Sequence, residues 1–106
     1  MDRFGMCGKM IAKEGQRDAL LAAMLEASRL VAPLKGCEIY VVSTLPSEPD
    51  AVYVMEVWRS QEDHDASLKQ DSVKALITRA RPLIASFPDS VRLVPVGGKG
   101  LSEAIR

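Results

Sequence analysis

His64 is the only histidine in this 106-residue chain, and Glu56, Glu62, Asp63 and Asp65 lie close to it in sequence. Histidine exchanges a proton near neutral pH, so a histidine among carboxylates is suited to general acid–base work. Glu56 is a second candidate. It interrupts the apolar run VYVMEVW, Val52 to Trp58, where a carboxylate has to be paired or perturbed. Arg59, Arg79, Arg81 or His64 could be its partner. Trp58, the sole tryptophan, could stack on an aromatic ligand or anchor a core. Tyr40 and Tyr53 could donate a hydrogen bond to a phenolic oxygen. Met10, Met24 and Met55 could line an adaptable apolar pocket, and each of these residues could equally be ordinary core. Ser67 stands three positions after His64, close to it on a helical surface.

Other chemistries find little support. Cys7 and Cys37 are too few for a disulfide framework. One histidine with no clustered Cys/His spacing does not build a closed zinc site, so no metal is expected. Gly97-Gly98-Lys99-Gly100 lacks the order of a phosphate-binding loop. Fourteen basic residues balance fourteen acidic ones, which gives no footprint for nucleic acid or an anionic membrane. The opening MDRFGMCGKM lacks the apolar centre of a secretory signal. Ala19–Leu34 is too short and too charged to span a bilayer. The expected setting is cytoplasmic, with reduced thiols.

The elements that must position these side chains follow from periodicity. With 47% hydrophobic and 26% charged residues, the chain is globular, and its length fits one domain. Met6–Ala12 alternates as a strand. Leu20, Met24, Ala27, Val31 and Leu34 make one helical face, stopped by Pro33 and Gly36. Cys37–Thr44 is a second strand, LPSEPD a loop, and Ala51–Trp58 a third strand. Ser60 opens a helix, capped by an arrangement with Asp63. That helical region breaks near Gln70, and a further helix with Val73, Ile77, Ala80 and Ile84 inward runs to Ser86, kinked at Pro82. Phe87-Pro88-Asp89 is a turn, Ser90–Val96 a last strand, and residues 98–106 a tail.

The resulting α+β order, βαββαβ, predicts a ferredoxin-like antiparallel sheet with both helices on one face. In that sheet a strand separates Cys7 from Cys37 by ~9–10 Å, beyond disulfide reach. Strand residues are apolar on both faces, with Val52, Val54 and Trp58 on one and Tyr53, Met55 and Val57 on the other. No further helix remains to cover the second face, so a second copy of the chain is expected there.

Lys13-Glu14-Gly15, Gly36-Cys37 with Tyr40, the run EVWRSQEDHDASL and RPLIASFPDSVRLVPV together resemble the antibiotic biosynthesis monooxygenase family, including its small quinol monooxygenases. The resemblance covers about residues 5–97. It implies a dimeric α+β barrel with a pocket in each subunit between helices and sheet. Family activities include cofactor-free oxidation of phenolic polycycles by O₂, haem degradation and a sugar-phosphate isomerisation. Many members carry Ala-His-Leu on the second helix, where this chain has Ala66-Ser67-Leu68. The family's downstream Pro-His aligns with Asp71-Ser72. The asparagine used by the haem-degrading branch has no counterpart, because the chain contains none.

These readings combine into one expectation. The protein is a cofactor-independent monooxygenase acting on a small aromatic diol or quinol, with His64 or Glu56 as base. Trp58, Tyr40, Tyr53, Met10, Met24, Met55 and Ser67 are the candidate ligand contacts. The alternatives are an isomerase of a small oxygenated metabolite and a non-catalytic, dimeric ligand-binding domain. Ser67 and Ser72 at the family's histidine positions speak for the last.

Overall fold

The computed structural model describes residues 2–101. Alternating apolar residues form four strands: β1 (Phe4–Ala12), β2 (Cys37–Leu45), β3 (Glu48–Trp58) and β4 (Ile84–Leu93). They pair antiparallel in the order β2-β3-β1-β4. Helix α1 (Arg17–Val31) joins β1 to β2, while α2 (Gln61–Ser67), α3 (Asp71–Ala80) and a short 3₁₀ turn (Arg81–Leu83) join β3 to β4. This is the expected ferredoxin-like α+β arrangement.

Directly paired residues share a face, so the registers sort the side chains into rows. On the helix-covered face the first row holds Cys37, Trp58 and Phe4, and the next holds Tyr40, Glu56, Met6 and Arg92. The third holds Val42, Val54, Gly8 and Ser90. On the opposite face Ile39, Val57, Gly5 and Leu93 form one row and Val41, Met55, Cys7 and Val91 the next. Two packed clusters fasten the helices to the sheet. Leu20 of α1 joins Met10, Ala12, Val52 and Val54. Val31 joins Phe4 and Trp58 at the other end. Trp58 is 1% exposed, and its truncation to alanine is worth about 3–5 kcal/mol on the scale of buried aromatics.

Several boundaries differ from the sequence reading. The hairpin after β2 closes on Pro46-Ser47 alone, because Leu45 pairs with Glu48. Pro49 is tolerated in β3 because it lies beyond Ala51, the last residue of β3 that pairs with β1. Helix α3 stops at Ala80, where Pro82 enters the 3₁₀ turn. Its buried residues are Val73, Leu76 and Ala80, so Leu76 replaces Ile77 as the innermost position, and Ile84 opens β4. Phe87-Pro88-Asp89 lies inside β4. Lys9 pairs with Asp89 and Ile11 with Ser86, so Phe87 and Pro88 together oppose Met10 in a bulge. An edge strand admits proline there because no second neighbour needs its missing N–H. Of the expected tail, residues 102–106 lie outside the described residues. No helix among the described residues is long and apolar enough to cross a membrane.

Candidate active site

Between the two packed clusters the covered face is not filled. Gly8 lies in the central strand, and a Cβ built on it would meet nothing within 4 Å. The resulting cavity of about 220 Å³ has Gly8, Met6 and Val54 on its floor, Met10 and Met24 along one wall, and Tyr40, Glu56, Ser90, Lys9 and Asp89 as its polar residues. Phe87, turned inward by the β4 bulge, stands at its mouth and is 66% exposed. An apolar hollow with a few convergent polar groups is the usual form of a small-ligand site.

Glu56 is the carboxylate that the covered-face rows aim into this hollow, and Asp89 lines it from β4 beside the bulge. Its Oε1 accepts from Trp58 Nε1 at 2.7 Å and lies 3.8 Å from His64 Nε2. Neither Arg59 nor Arg79 holds it, since Arg59 binds Asp63 and Arg79 binds Glu26. Both contacts fall on one oxygen, which leaves Oε2 for a ligand. Tyr40 is the direct cross-strand neighbour of Glu56. Burial, then the charges of Glu56 and Cys37, push its phenol above the ordinary tyrosine range. At neutral pH Tyr40 is therefore a proton-bearing hydrogen-bond donor beside a carboxylate acceptor. Cys37 is pushed up to about 11 by burial, then by Glu56 and Glu38, so it is a neutral thiol and an inert one.

His64 stands behind Glu56 and does not line the cavity. Ser60 places it: its side chain caps α2 by accepting from the Asp63 amide at 3.1 Å, as the sequence suggests. Gly36 lets that turn approach, because a Cβ there would come within 2.4 Å of Asp63 Cβ. His64 Nδ1 lies 3.0 Å from Asp65 Oδ1. The imidazole thus stands between two carboxylates, with Nδ1 toward Asp65 and Nε2 toward Glu56. The imidazole stacks on Phe4 at 4.2 Å and meets Trp58 edge-on at 5.8 Å. Arg92 lies 3.8 Å over the Phe4 ring.

The expected ligand contacts thus divide. Tyr40, Met10 and Met24 line the cavity with Glu56. Trp58 is core and acts on the site only through Glu56. Tyr53 and Met55 belong to the opposite face of the sheet, because their register places them one residue out of step with Glu56. Ser67 is 3% exposed and donates to the His64 carbonyl at 2.6 Å, so its hydroxyl is engaged within α2. Met6, Gly8, Phe87 and Ser90 were not among the sequence candidates. Cys7 and Cys37 are free thiols. Among the described residues no three His, Cys, Asp or Glu side chains gather as a metal-binding group.

The family profile described as antibiotic biosynthesis monooxygenase matches residues 4–79. No curated protein matches the chain. The crystal structure of a candidate antibiotic biosynthesis monooxygenase from Chloroflexus aurantiacus J-10-fl is 45% identical, with a TM-score of 0.86 over 94% of this chain and 99% of that one. A candidate member from Caulobacter crescentus CB15 superposes with a TM-score of 0.81 at 20% identity, covering 91% of this chain and 92% of its own. A protein from Shewanella oneidensis gives 0.78 at 21%, covering 90% and 94%. The last two show likeness of fold alone. With the profile spanning all elements from β1 to α3 and the Chloroflexus protein aligned over almost its whole length, the chain belongs to the antibiotic biosynthesis monooxygenase family.

Proposed function

We propose that the protein is a monooxygenase that oxidises a small aromatic diol or quinol with O₂ and no cofactor, in the cavity above Gly8. The observation that carries this reading is Glu56. A carboxylate whose Oε1 is tied to Trp58 lines a largely apolar hollow, beside a tyrosine that keeps its proton. Glu56 removes a phenolic proton, and Tyr40 donates to the phenolate oxygen that results. The electron-rich anion passes an electron to O₂, and the radical pair combines at a ring carbon bearing hydrogen. Loss of water from that hydroperoxide leaves a carbonyl. The diol thus loses two hydrogens and gains one oxygen atom, and the second oxygen leaves as water. His64, 3.8 Å behind Glu56, is placed to relay the proton that the carboxylate takes up.

The same reading includes a homodimer. Val41, Met55, Val91 and Leu93 lie exposed on the sheet face without helices, and a second copy is the cover that this apolar face suits.

The test is oxygen uptake by the purified protein with hydroquinone and catechol series under heavy-isotope O₂. One labelled atom in the quinone product and one in water is the expected result. Anaerobic conversion of the ligand to an isomer would replace this reading with isomerisation. Binding without any conversion would replace it with a non-catalytic ligand-binding domain.

A further inference from the structure

The cavity above Gly8 does not stand alone. A second hollow of about 470 Å³ adjoins it, lined by Ile77 and Ala80 of α3, Arg81, and Ile84 of β4. Met10, Met24 and Phe87 line both, so these three side chains form a waist and not a wall of backbone. Two are methionines, the most adaptable of apolar side chains. The third sits on a bulge in an edge strand, at the rim.

The chemistry of the two lobes differs. The first is lined by Tyr40, Glu56 and Ser90 together with Lys9 and Asp89, polar residues that suit a ring bearing hydroxyl groups. A cavity of roughly 150 Å³ already takes benzene, so about 220 Å³ suits one substituted ring. The second lobe has only Arg81 as a charged group, and its other named side chains are apolar. Arg81 is exposed, which puts its charge at the solvent end. A lone hydroxylated ring would use the first lobe and leave the larger one without apolar contact.

Resting on the diol reading above, we infer that the substrate is a hydroxylated ring carrying a flexible apolar substituent of several carbons. The ring occupies the lobe over Gly8. The substituent passes between Met10, Met24 and Phe87 and lies along Ile77 and Ile84. The second lobe is then the determinant of specificity, because Glu56 and Tyr40 recognise any phenol equally.

Anaerobic titration calorimetry with hydroquinone and its 2-ethyl, 2-butyl, 2-hexyl and 2-octyl derivatives tests this. Each methylene buried is expected to tighten binding by about threefold to fourfold until the lobe is full. Ile77→Phe and Ile84→Phe narrow the second lobe from opposite sides, and each is expected to lower the octyl-to-unsubstituted affinity ratio by about tenfold or more. Two variants are used so that a folding defect in one, seen by circular dichroism, leaves the other to decide. A flat chain-length series overturns the inference. So does a steep series that neither variant flattens, since the alkyl chain would then lie elsewhere, as on the open sheet face. Oxygen uptake is read separately. Turnover of unsubstituted hydroquinone with a flat series removes this inference and keeps the monooxygenase. A steep series without oxygen uptake removes the monooxygenase and keeps the two-lobed ligand.

Discussion

One sheet presents two faces built from the same strands, and they differ by a single residue's offset. The covered face places Tyr40, Glu56 and Ser90 in an apolar frame and leaves space at Gly8. The open face places Val41, Met55, Cys7 and Val91 in an unbroken row. Beyond it lies a polar row of Ser43, Tyr53, Lys9 and Asp89, with Lys9 held by Glu48 at 2.7 Å. A missing side chain under two helices makes a hollow for a ligand. A continuous apolar row with no helix over it is the face proposed to meet a second copy of the chain. Apolar content is therefore a poor guide to which face binds what, and the placement of glycine and carboxylate is a good one.

The largest expected effect tests the covered face. Glu56→Gln keeps an acceptor for Trp58 Nε1 and removes the base. Turnover of the alkyl hydroquinones is expected to fall by about 10²–10⁴-fold, the weight of a general base, with the melting temperature nearly unchanged. His64→Ala acts through Glu56 and is expected to cost less than Glu56→Gln. The reverse order, measured on folded variants, would put the base behind the cavity and break the assignment of roles between the two residues.

The next effect belongs to the open face. Met55 is 43% exposed and lies in the middle of the apolar row. Met55→Glu puts a charge into the proposed interface on both copies and is expected to weaken the dimer by about 10²-fold or more. Sedimentation equilibrium across micromolar concentrations reads the change. A wild-type protein that sediments as one chain would remove the distinction drawn between the faces.

Much of this is legible in the sequence. The element order, the break near Gln70, the Ser60 cap, and the shared face of Glu56 and Trp58 all follow from local periodicity and capping chemistry. What could not be read is register. Met55 and Tyr53 look as suitable for a pocket as Met10 and Tyr40. Only the pairing of β1 with β3, together with the side on which the helices pack, sends one pair to the cavity and the other to the open face. Ile84 fell on the helical period by coincidence, seven residues after Ile77, and proline at 88 disguised a strand. That disguise hid Phe87, which is at the mouth of the site only because the bulge at Pro88 rotates it inward. Gly8 carried no signal of its own, because an empty space has no sequence pattern.

Gly8 offers a finer test of the covered face. Gly8→Leu adds a side chain where nothing stands within 4 Å of the new Cβ. The fold is expected to gain up to about 1 kcal/mol from the lost glycine entropy and added packing, while hydroquinone affinity drops by about tenfold or more because the ring's place is taken. Thermal melting and titration calorimetry on the same preparation separate the two. A stabilised variant that binds as well as wild type would move the ligand away from this floor.

The smallest effect lies in the alkaline limb of stability, and it too separates the faces. Cys37 on the covered face is raised from 9.0 in the unfolded chain to about 11, and Tyr40 is raised above 10.0. For both, the protonated form is the neutral one. As pH climbs past 9, the unfolded thiol loses its proton first, so the unfolded state binds fewer protons than the native state and stability falls with pH. The loss runs from about pH 9 to 11 for Cys37 and continues upward with Tyr40. Cys37 is only partly buried, so solvent screening limits its share to about 1–2 kcal/mol. Urea unfolding at pH 8, 9, 10 and 11 measures it. Cys37→Ser is expected to remove the first part of the decline and Tyr40→Phe the later part. If Cys37→Ser left the slope between pH 9 and 11 unchanged, the packing of Phe4, Trp58 and Leu34 around that thiol would be looser than the first row of the covered face requires.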